Sequence, residues 1–475
     1  MILVLLILVP FLVGVVSFLA KDAAKNIALF GSLISLAISV YLAAFCGTEQ
    51  TAAIAFPWMP AIGAQFSLSA DGMASMLCLL TGIIFPVVLL LTRNKDIENP
   101  ASYYGLILLS QAGLMGVFLA SDALLFYFFW ELALIPVYFL CSRWGGERRI
   151  AVTFKFFVYT FVGSLMMLAA IIYLSMQSNG VNAMSWQNII AAGKSLSIGQ
   201  QHIVFWLLFV AFAIKMPIFP FHTWQPDAYE QAPTPITIIL SALMVKMGLY
   251  AVLRWLIPVL PQATLYWSDT IMTLSVIGIV YASLVAMVQT NVKRLVAYSS
   301  IAHMGLMCAA AFSGTQLAHH GLLVQMFNHG INIAGMWVIV SMVEQRYGTQ
   351  ELKKMGGLAN TAPGIAIALV IISFANIALP LTNGFVGEFM LFSGIFQGAS
   401  PYHIVFMSVA GLGIILGAVY TLSMVQKVAY GENNSGVLTV AKMTTAEMIA
   451  VIVLLAFIIA LGVFPQPLLD LVLLP

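Results

Sequence analysis

Apolar runs of about 20 residues recur from one end of this chain to the other, and that length is what a helix needs to cross a bilayer core roughly 30 Å thick. Marking these runs against polar or Pro/Gly-rich breaks predicts about fourteen spans, at 2–20, 26–46, 73–92, 103–120, 122–142, 150–176, 202–225, 234–257, 269–289, 294–312, 318–343, 363–397, 402–427 and 446–466. The stretches between them, the longest near 47–72 and 177–201, are too short for a separate domain. Composition agrees: 8% of 475 residues are charged and 62% hydrophobic, with mean hydropathy +1.02, which leaves too little charge for a water-facing surface. The expectation is an all-α polytopic membrane protein forming a single domain over 1–475. A net charge of +2 gives no reason to expect a nucleic-acid partner.

The first run, Ile2 to Ala20, lacks the basic flank of a signal peptide, so it reads as a retained span, with cleavage after Ala20 as the alternative. Orientation follows from lysine and arginine. Fourteen of them (Lys21, Lys25, Arg93, Lys95, Arg143, Arg148, Arg149, Lys293, Arg294, Arg346, Lys353, Lys354, Lys427 and Lys442) fall on one side of the fourteen-span scheme, against Lys194 and Arg254 on the other. Both termini are therefore expected on the non-cytoplasmic side. Cys46, Cys78, Cys141 and Cys308 stand singly in apolar runs, a pattern of structural filler rather than of a disulfide framework, zinc site or cluster.

The remaining basic residues, Lys155, Lys215 and Lys246, fall inside spans, as do Glu131 and Glu388. A charge at the centre of a membrane helix costs roughly 2.5–3.5 kcal/mol on insertion scales, so such groups usually face a protein interior or a hydrated path. Glu131 sits in LLFYFFWELALIPVYFL. Lys215 immediately precedes the Pro217–Pro220 break, where a disrupted helical ladder exposes carbonyls. Lys246 has apolar neighbours for two turns before it and is too deep to snorkel, whereas Lys155 lies near the Arg148–Arg149 loop and could. Pro380, Asn383 and Gly384 weaken the helix before Glu388, giving a second interrupted helix with an ionisable group beside the break. His303 and His329 titrate near neutral pH and could bridge the lysines and Glu388. His319 and His320 read as loop residues. The stretch His222–Trp224 with Asp227 and Glu230 shapes the connection after the first break, and its spacing matches no recurrent zinc pattern. GLGIILG, Gly411–Gly417, lies inside a span and departs from the dinucleotide fingerprint, so close helix packing accounts for it. With no P-loop, haem or cluster motif, the chemistry legible here is proton movement.

The segment KMPIFPFHTWQPDAYEQAPTPITIILSALMVKMGLYAVLRW, Lys215–Trp255, resembles the signature of the antiporter-like proton-pumping subunits of complex I. WELALIPVYFL around Glu131, KRLVAYSSIAHMGLM around His303 and FVGEFM around Glu388 are similar to the same family, and the likeness covers almost the whole chain. Relatives in that family occur in multisubunit sodium/proton antiporters and membrane-bound hydrogenases. Glu388 stands where many members carry lysine, which favours one subunit type of a bacterial NADH:quinone oxidoreductase. The resemblance implies two inverted five-helix repeats, helices 4–8 within 101–260 and helices 9–13 within 261–430, flanked by helices 1–3 in 1–100 and helix 14 in 431–475. It implies broken helices 7 and 12, and axis residues Glu131, Lys215, Lys246 and Glu388. It also implies redox chemistry elsewhere: NADH, FMN, iron–sulfur clusters and quinone in partner subunits, no cofactor or metal in this chain, neighbouring antiporter-like subunits as partners, and a bacterial inner membrane as the location. The competing expectations are an antiporter or hydrogenase subunit, for which lysine would be expected at 388, and a static scaffold of ion pairs.

Overall fold

The computed structural model describes residues 1–45, 52–178, 181–432 and 441–473. Almost every described element is a helix, and polar residues punctuate the apolar runs by capping them. Asp71 accepts the Ala74 amide, Asp122 those of Leu124 and Leu125, Asn291 those of Lys293 and Arg294, and Thr315 that of Ala318. Each cap satisfies amides that a helix start would otherwise leave unpaired. At Thr444 the cap is reciprocal, Glu447 reaching back to the Thr444 amide.

Twelve helices are long and apolar enough to cross a membrane, from Ile2–Leu19 to Thr445–Val463. The two other expected spans fall on Val292–Ala311, a 20-residue helix with Lys293 and Arg294 in its first turn, and on a pair of 14-residue helices, Pro363–Asn376 and Asn383–Phe396. The interruption between that pair holds Ala378 and Leu381 at positive φ, a backbone no continuous right-handed helix contains. Lys215 ends the helix Ile198–Lys215, and a short helix, Gln225–Gln231, follows the first break.

Burial ranks the helices. In Thr234–Leu256 and Gln316–Tyr347 the most apolar 18-residue stretch is buried throughout, whereas Ile2–Leu19, Arg149–Gln177 and His403–Tyr430 leave most of theirs exposed. The first two are the centre of the bundle; they carry Lys246 and His329. Thr234–Leu256 is not a plain α-helix: Leu240–Met244 and Val252–Leu256 are π-helical turns, of the sort that gathers at functional sites.

The connections hold structure that apolar periodicity does not signal. Strands β1 (Ala52–Met59) and β2 (Ala64–Ala70) form an antiparallel hairpin with Phe56 opposite Phe66 and an irregularity between Pro57 and Met59. The hairpin is tied to the start of the Glu131 helix, Ala123–Trp144, by Gln65 N–H donating to Asp122 and by Ser121 N–H donating to the Ser67 carbonyl. A helix at Trp186–Ser195 fills the other long connection. There the Arg254 guanidinium pairs with Asp71 and lies over the Trp186 ring. Cys78, Cys141 and Cys308 are buried free thiols; Cys46 lies outside the described residues.

Candidate functional site

Lys246 follows the first π-helical turn, and its Nζ donates 2.8 Å to the Ser241 carbonyl five residues back. Its other partner is Nδ1 of His329, 2.7 Å away on the second central helix. The ring of His329 lies 5.3 Å from that of His303, centroid to centroid, and His303 Nδ1 is 3.2 Å from Glu388 Oε1. Lys246, His329, His303 and Glu388 therefore form one file across four helices. Lys246, His329 and Glu388 are buried and His303 is nearly so. The expected bridge of one histidine or the other is made by both.

A stripe on the Gln316–Tyr347 helix organises the second half of this file. Gln325, Asn328, His329 and Asn332 recur at the i, i+3, i+4, i+7 spacing of a single helix face, and all are buried. Gln325 Nε2 approaches Glu388 Oε1 at 3.5 Å. Asn332 Nδ2 donates 3.1 Å to the Ala375 carbonyl, at the end of the helix before the break, and Asn328 Nδ2 donates 2.7 Å to the Asn383 carbonyl just after it. These amides tie the stripe to the backbone on both sides of the interruption. Single-residue inspection for charge missed Gln325, Asn328 and Asn332; their spacing within an otherwise apolar helix was the signal available.

The first half is less closed. Lys215 is buried at the carbonyl end of its helix, where a cation complements the helix dipole. The indole N–H of Trp224 donates 3.0 Å to the Ile214 carbonyl, satisfying a group near the break. Lys215 Nζ lies 5.4 Å from the centroid of the Trp130 ring, within cation–π range, and Trp130 adjoins Glu131. The structure thus brings the Glu131 and Lys215 helices together through an aromatic face. Among the described residues no ion pair joins Glu131 to Lys215, and Glu131 Oε1 and Lys215 Nζ are both buried without a protein hydrogen-bond partner. Gly248, two residues after Lys246, packs against the Phe212 carbonyl and Met216, which lets the Lys246 and Lys215 helices approach closely.

Lys155 stands apart. Its ammonium donates 2.9 Å to Asp227 and 3.0 Å to the Thr223 carbonyl, with the side chain 39% exposed. Asp227 also receives Arg294 at 2.9 Å, and Glu230 receives Arg294 at 3.0 Å and Arg148 at 3.4 Å. Burial pushes the Asp227 carboxyl up, but the hydrogen bonds and charges of Lys155 and Arg294 outweigh it and hold the group below its ordinary range. The Asp227–Glu230 stretch is accordingly an ion-pair network at the end of the bundle. His319 and His320 lie near a helix start with rings 6.0 Å apart, away from the file. In GLGIILG only Gly413 matches the packing explanation, sitting against Ile279; Gly417 is in ordinary contact with the Tyr420 hydroxyl, and Gly411 faces open space.

A bundle of long apolar helices with an amine, two imidazoles and a carboxylate gathered in its interior defines an all-helical polytopic membrane protein with ionisable groups buried among its spans. The chain belongs to the family described as NADH:quinone oxidoreductase/Mrp antiporter, transmembrane, whose profile matches residues 120–417. Among curated relatives, it is 38% identical to NADH-quinone oxidoreductase subunit M of Rickettsia prowazekii, over 87% of this chain and 83% of the relative. It is 33% identical to subunit M of Escherichia coli K12, over 98% and 95%. A chain in the structure described as respiratory complex I from Thermus thermophilus with bound NADH superposes with a TM-score of 0.89 at 29% identity, covering 99% of this chain and 98% of that one.

Proposed function

We propose that this chain is the M-type proton-translocating membrane subunit of an NADH:quinone oxidoreductase, moving protons along Glu131, Lys215, Lys246, His329, His303 and Glu388. The observation that carries the reading is the succession from the Lys246 ammonium past two neighbouring imidazoles to the Glu388 carboxyl, buried inside the bundle. Each member can both take and give a proton; Lys246–His329 and His303–Glu388 stand at hydrogen-bond reach, as direct transfer requires, and water would complete the steps between the two imidazoles and between Glu131, Lys215 and Lys246. Buried amines and acids facing one another across helices are costly to insert, and proton relays are a recurrent reason for their presence.

Glu131 and Lys215 serve as the controlling pair. At an effective dielectric of about 20, unit charges about 4 Å apart attract by about 4 kcal/mol, and doubling the separation halves this. Redox chemistry in partner subunits, which hold NADH, FMN, iron–sulfur clusters and quinone, changes that separation. Strengthening the pair holds the charge on Lys215, and weakening it releases a proton toward Lys246. Lys155 remains outside the file as the partner of Asp227. The two interrupted helices, each beside an ionisable residue, support inverted repeats at 101–260 and 261–430. The lysine and arginine distribution supports a cytoplasmic face at the Arg148–Lys293–Arg294 end with both termini opposite, in a bacterial inner membrane beside other antiporter-like subunits.

The test is Lys246→Met in the assembled complex, reconstituted in liposomes. Proton uptake coupled to NADH oxidation is expected to fail while NADH-dependent dye reduction, which needs only partner subunits, persists. Full proton yield from that variant would refute the relay. Native purification separates the antiporter alternative, since co-purifying NADH- and cluster-binding chains are expected here and sodium-dependent transport without them is not.

A further inference from the structure

A mostly apolar cavity lies against Glu388, and a few polar groups reach it. His303, Asn376, Glu388, Gly417 and Tyr420 line it, and its volume is about 30 Å³, room for a single water. Behind the wall, Ser299 Oγ accepts two hydrogen bonds, from the Tyr420 hydroxyl and from Asn376 Nδ2, both at 3.1 Å. All three residues are buried. They come from three helices, Val292–Ala311, Pro363–Asn376 and His403–Val425, so only the tertiary fold assembles them.

Two features give this wall a direction. Both polar contacts described for Glu388, from His303 and Gln325, go to Oε1, and the residue also lines the cavity. The Tyr420 hydroxyl spends its hydrogen on Ser299, so its oxygen is free to accept from whatever occupies the cavity. Gly417 has no side chain to cover that oxygen; a Cβ there would stand 3.6 Å from it.

We propose that Tyr420, anchored on Ser299 with Asn376, is a positioning residue for Glu388: it holds one water in the cavity against the carboxyl. This rests on the reading of Glu388 as a relay group. The His303 imidazolium gives its Nδ1 proton to Glu388, breaking one N–H bond and forming one O–H bond. The carboxyl then turns about its Cγ–Cδ bond so that the protonated oxygen faces the cavity, and gives that proton to the held water, one O–H bond breaking as another forms; the held water gives up one of its other protons to the next water, and the carboxylate is restored for the next turn. Uptake and release thus take place on opposite sides of the same carboxyl.

The experiment uses the assembled complex with Tyr420→Phe, Ser299→Ala or Glu388→Gln, reading coupled proton uptake together with the carboxyl C=O band in redox-induced infrared difference spectra. Glu388→Gln assigns the band by deleting it. Tyr420→Phe is expected to move that band to higher frequency, since a hydrogen-bonded water is lost. It should slow coupled turnover roughly tenfold, the rate equivalent of one hydrogen bond. Ser299→Ala should move the band the same way by less, and it decides the matter if Tyr420→Phe does not assemble. An unmoved band in the assembled variants overturns the proposal, whether or not turnover slows. If Glu388→Gln pumps normally, the relay reading itself falls instead.

Discussion

His329 is where the file is most open to a decisive substitution. Its Nδ1 stands 2.7 Å from the Lys246 ammonium, whose other partner is the Ser241 carbonyl at 2.8 Å. Leucine at 329 removes both the hydrogen bond and the titrating ring; glutamine removes only the ring's capacity to carry a proton, because its amide oxygen can still accept from Lys246. The two changes therefore separate structure from transport. His329→Leu leaves a buried donor short of a partner, at a cost of about 2 kcal/mol, and a lower melting temperature of the isolated complex is expected. His329→Gln should melt close to the parent. Proton transfer should fail in both, since loss of a positioned acid–base group typically costs a hundredfold or more, and His303 stands a full ring away from Lys246. The assay is fluorescence quenching of a pH-sensitive dye in proteoliposomes, normalised to NADH oxidised, with assembly checked on native gels. Near-parental proton yield from assembled His329→Gln would refute the idea that the imidazole passes the proton, leaving it a spacer between helices.

Other expectations follow from groups outside the file. Lys155→Met should leave proton yield intact and cost less than about 1 kcal/mol in melting measurements, because its pair with Asp227 is partly solvated. Arg346→Met should cost about 3 kcal/mol, since the guanidinium holds Glu447 with two hydrogen bonds, at 3.0 and 2.8 Å, and both side chains are nearly buried. Burial raises the Asp122 carboxyl to about 6, against the opposing backbone hydrogen bonds from Gln65, Leu125 and Leu124. Its protonated form is therefore favoured by the fold, so melting temperature should fall as pH rises from the ordinary carboxylate range to about 6 and level off above, and Asp122→Asn should flatten that slope. Gly113→Ala should loosen the contact between Pro100–Leu119 and Ala123–Trp144, since its Cβ would meet the Ala133 backbone amide at 2.5 Å; the expected cost is about 1–3 kcal/mol.

The sequence made the bundle legible because bilayer thickness imposes a length on every span, and it made the ionisable residues conspicuous because apolar surroundings isolate them. Lys215 beside Pro217 and Glu388 after Pro380 could each be read locally. What it could not supply was adjacency. His329 and Lys246 are 83 positions apart and His303 and Glu388 are 85, with no local periodicity linking them. Gln325, Asn328 and Asn332 were overlooked because they are uncharged, although their spacing repeats the face on which His329 sits. The π-helical turn before Lys246 has no Pro or Gly to announce it, and the β1–β2 hairpin falls in a connection whose strands are irregular and partly exposed. Lys155 was ambiguous from its position, since a long side chain near a span end can point either way; its contact with Asp227 resolves it.

The break before Glu388 and the stripe opposite it explain one another. Interrupting a membrane helix leaves backbone groups that lipid cannot satisfy, and here Asn332 donates to the Ala375 carbonyl at the end of the first segment while Asn328 donates to the Asn383 carbonyl in the first turn of the second. Those amides reach the broken segment only because Gly384 and Gly387 lack side chains: a Cβ at Gly384 would meet the Ala375 carbonyl and crowd the Asn332 amide, and one at Gly387 would collide with Gln325. The same face that repairs the break carries His329 between its two asparagines. One helical stripe thus both ties the interrupted segment down and places His329 against Lys246 and Gln325 near Glu388.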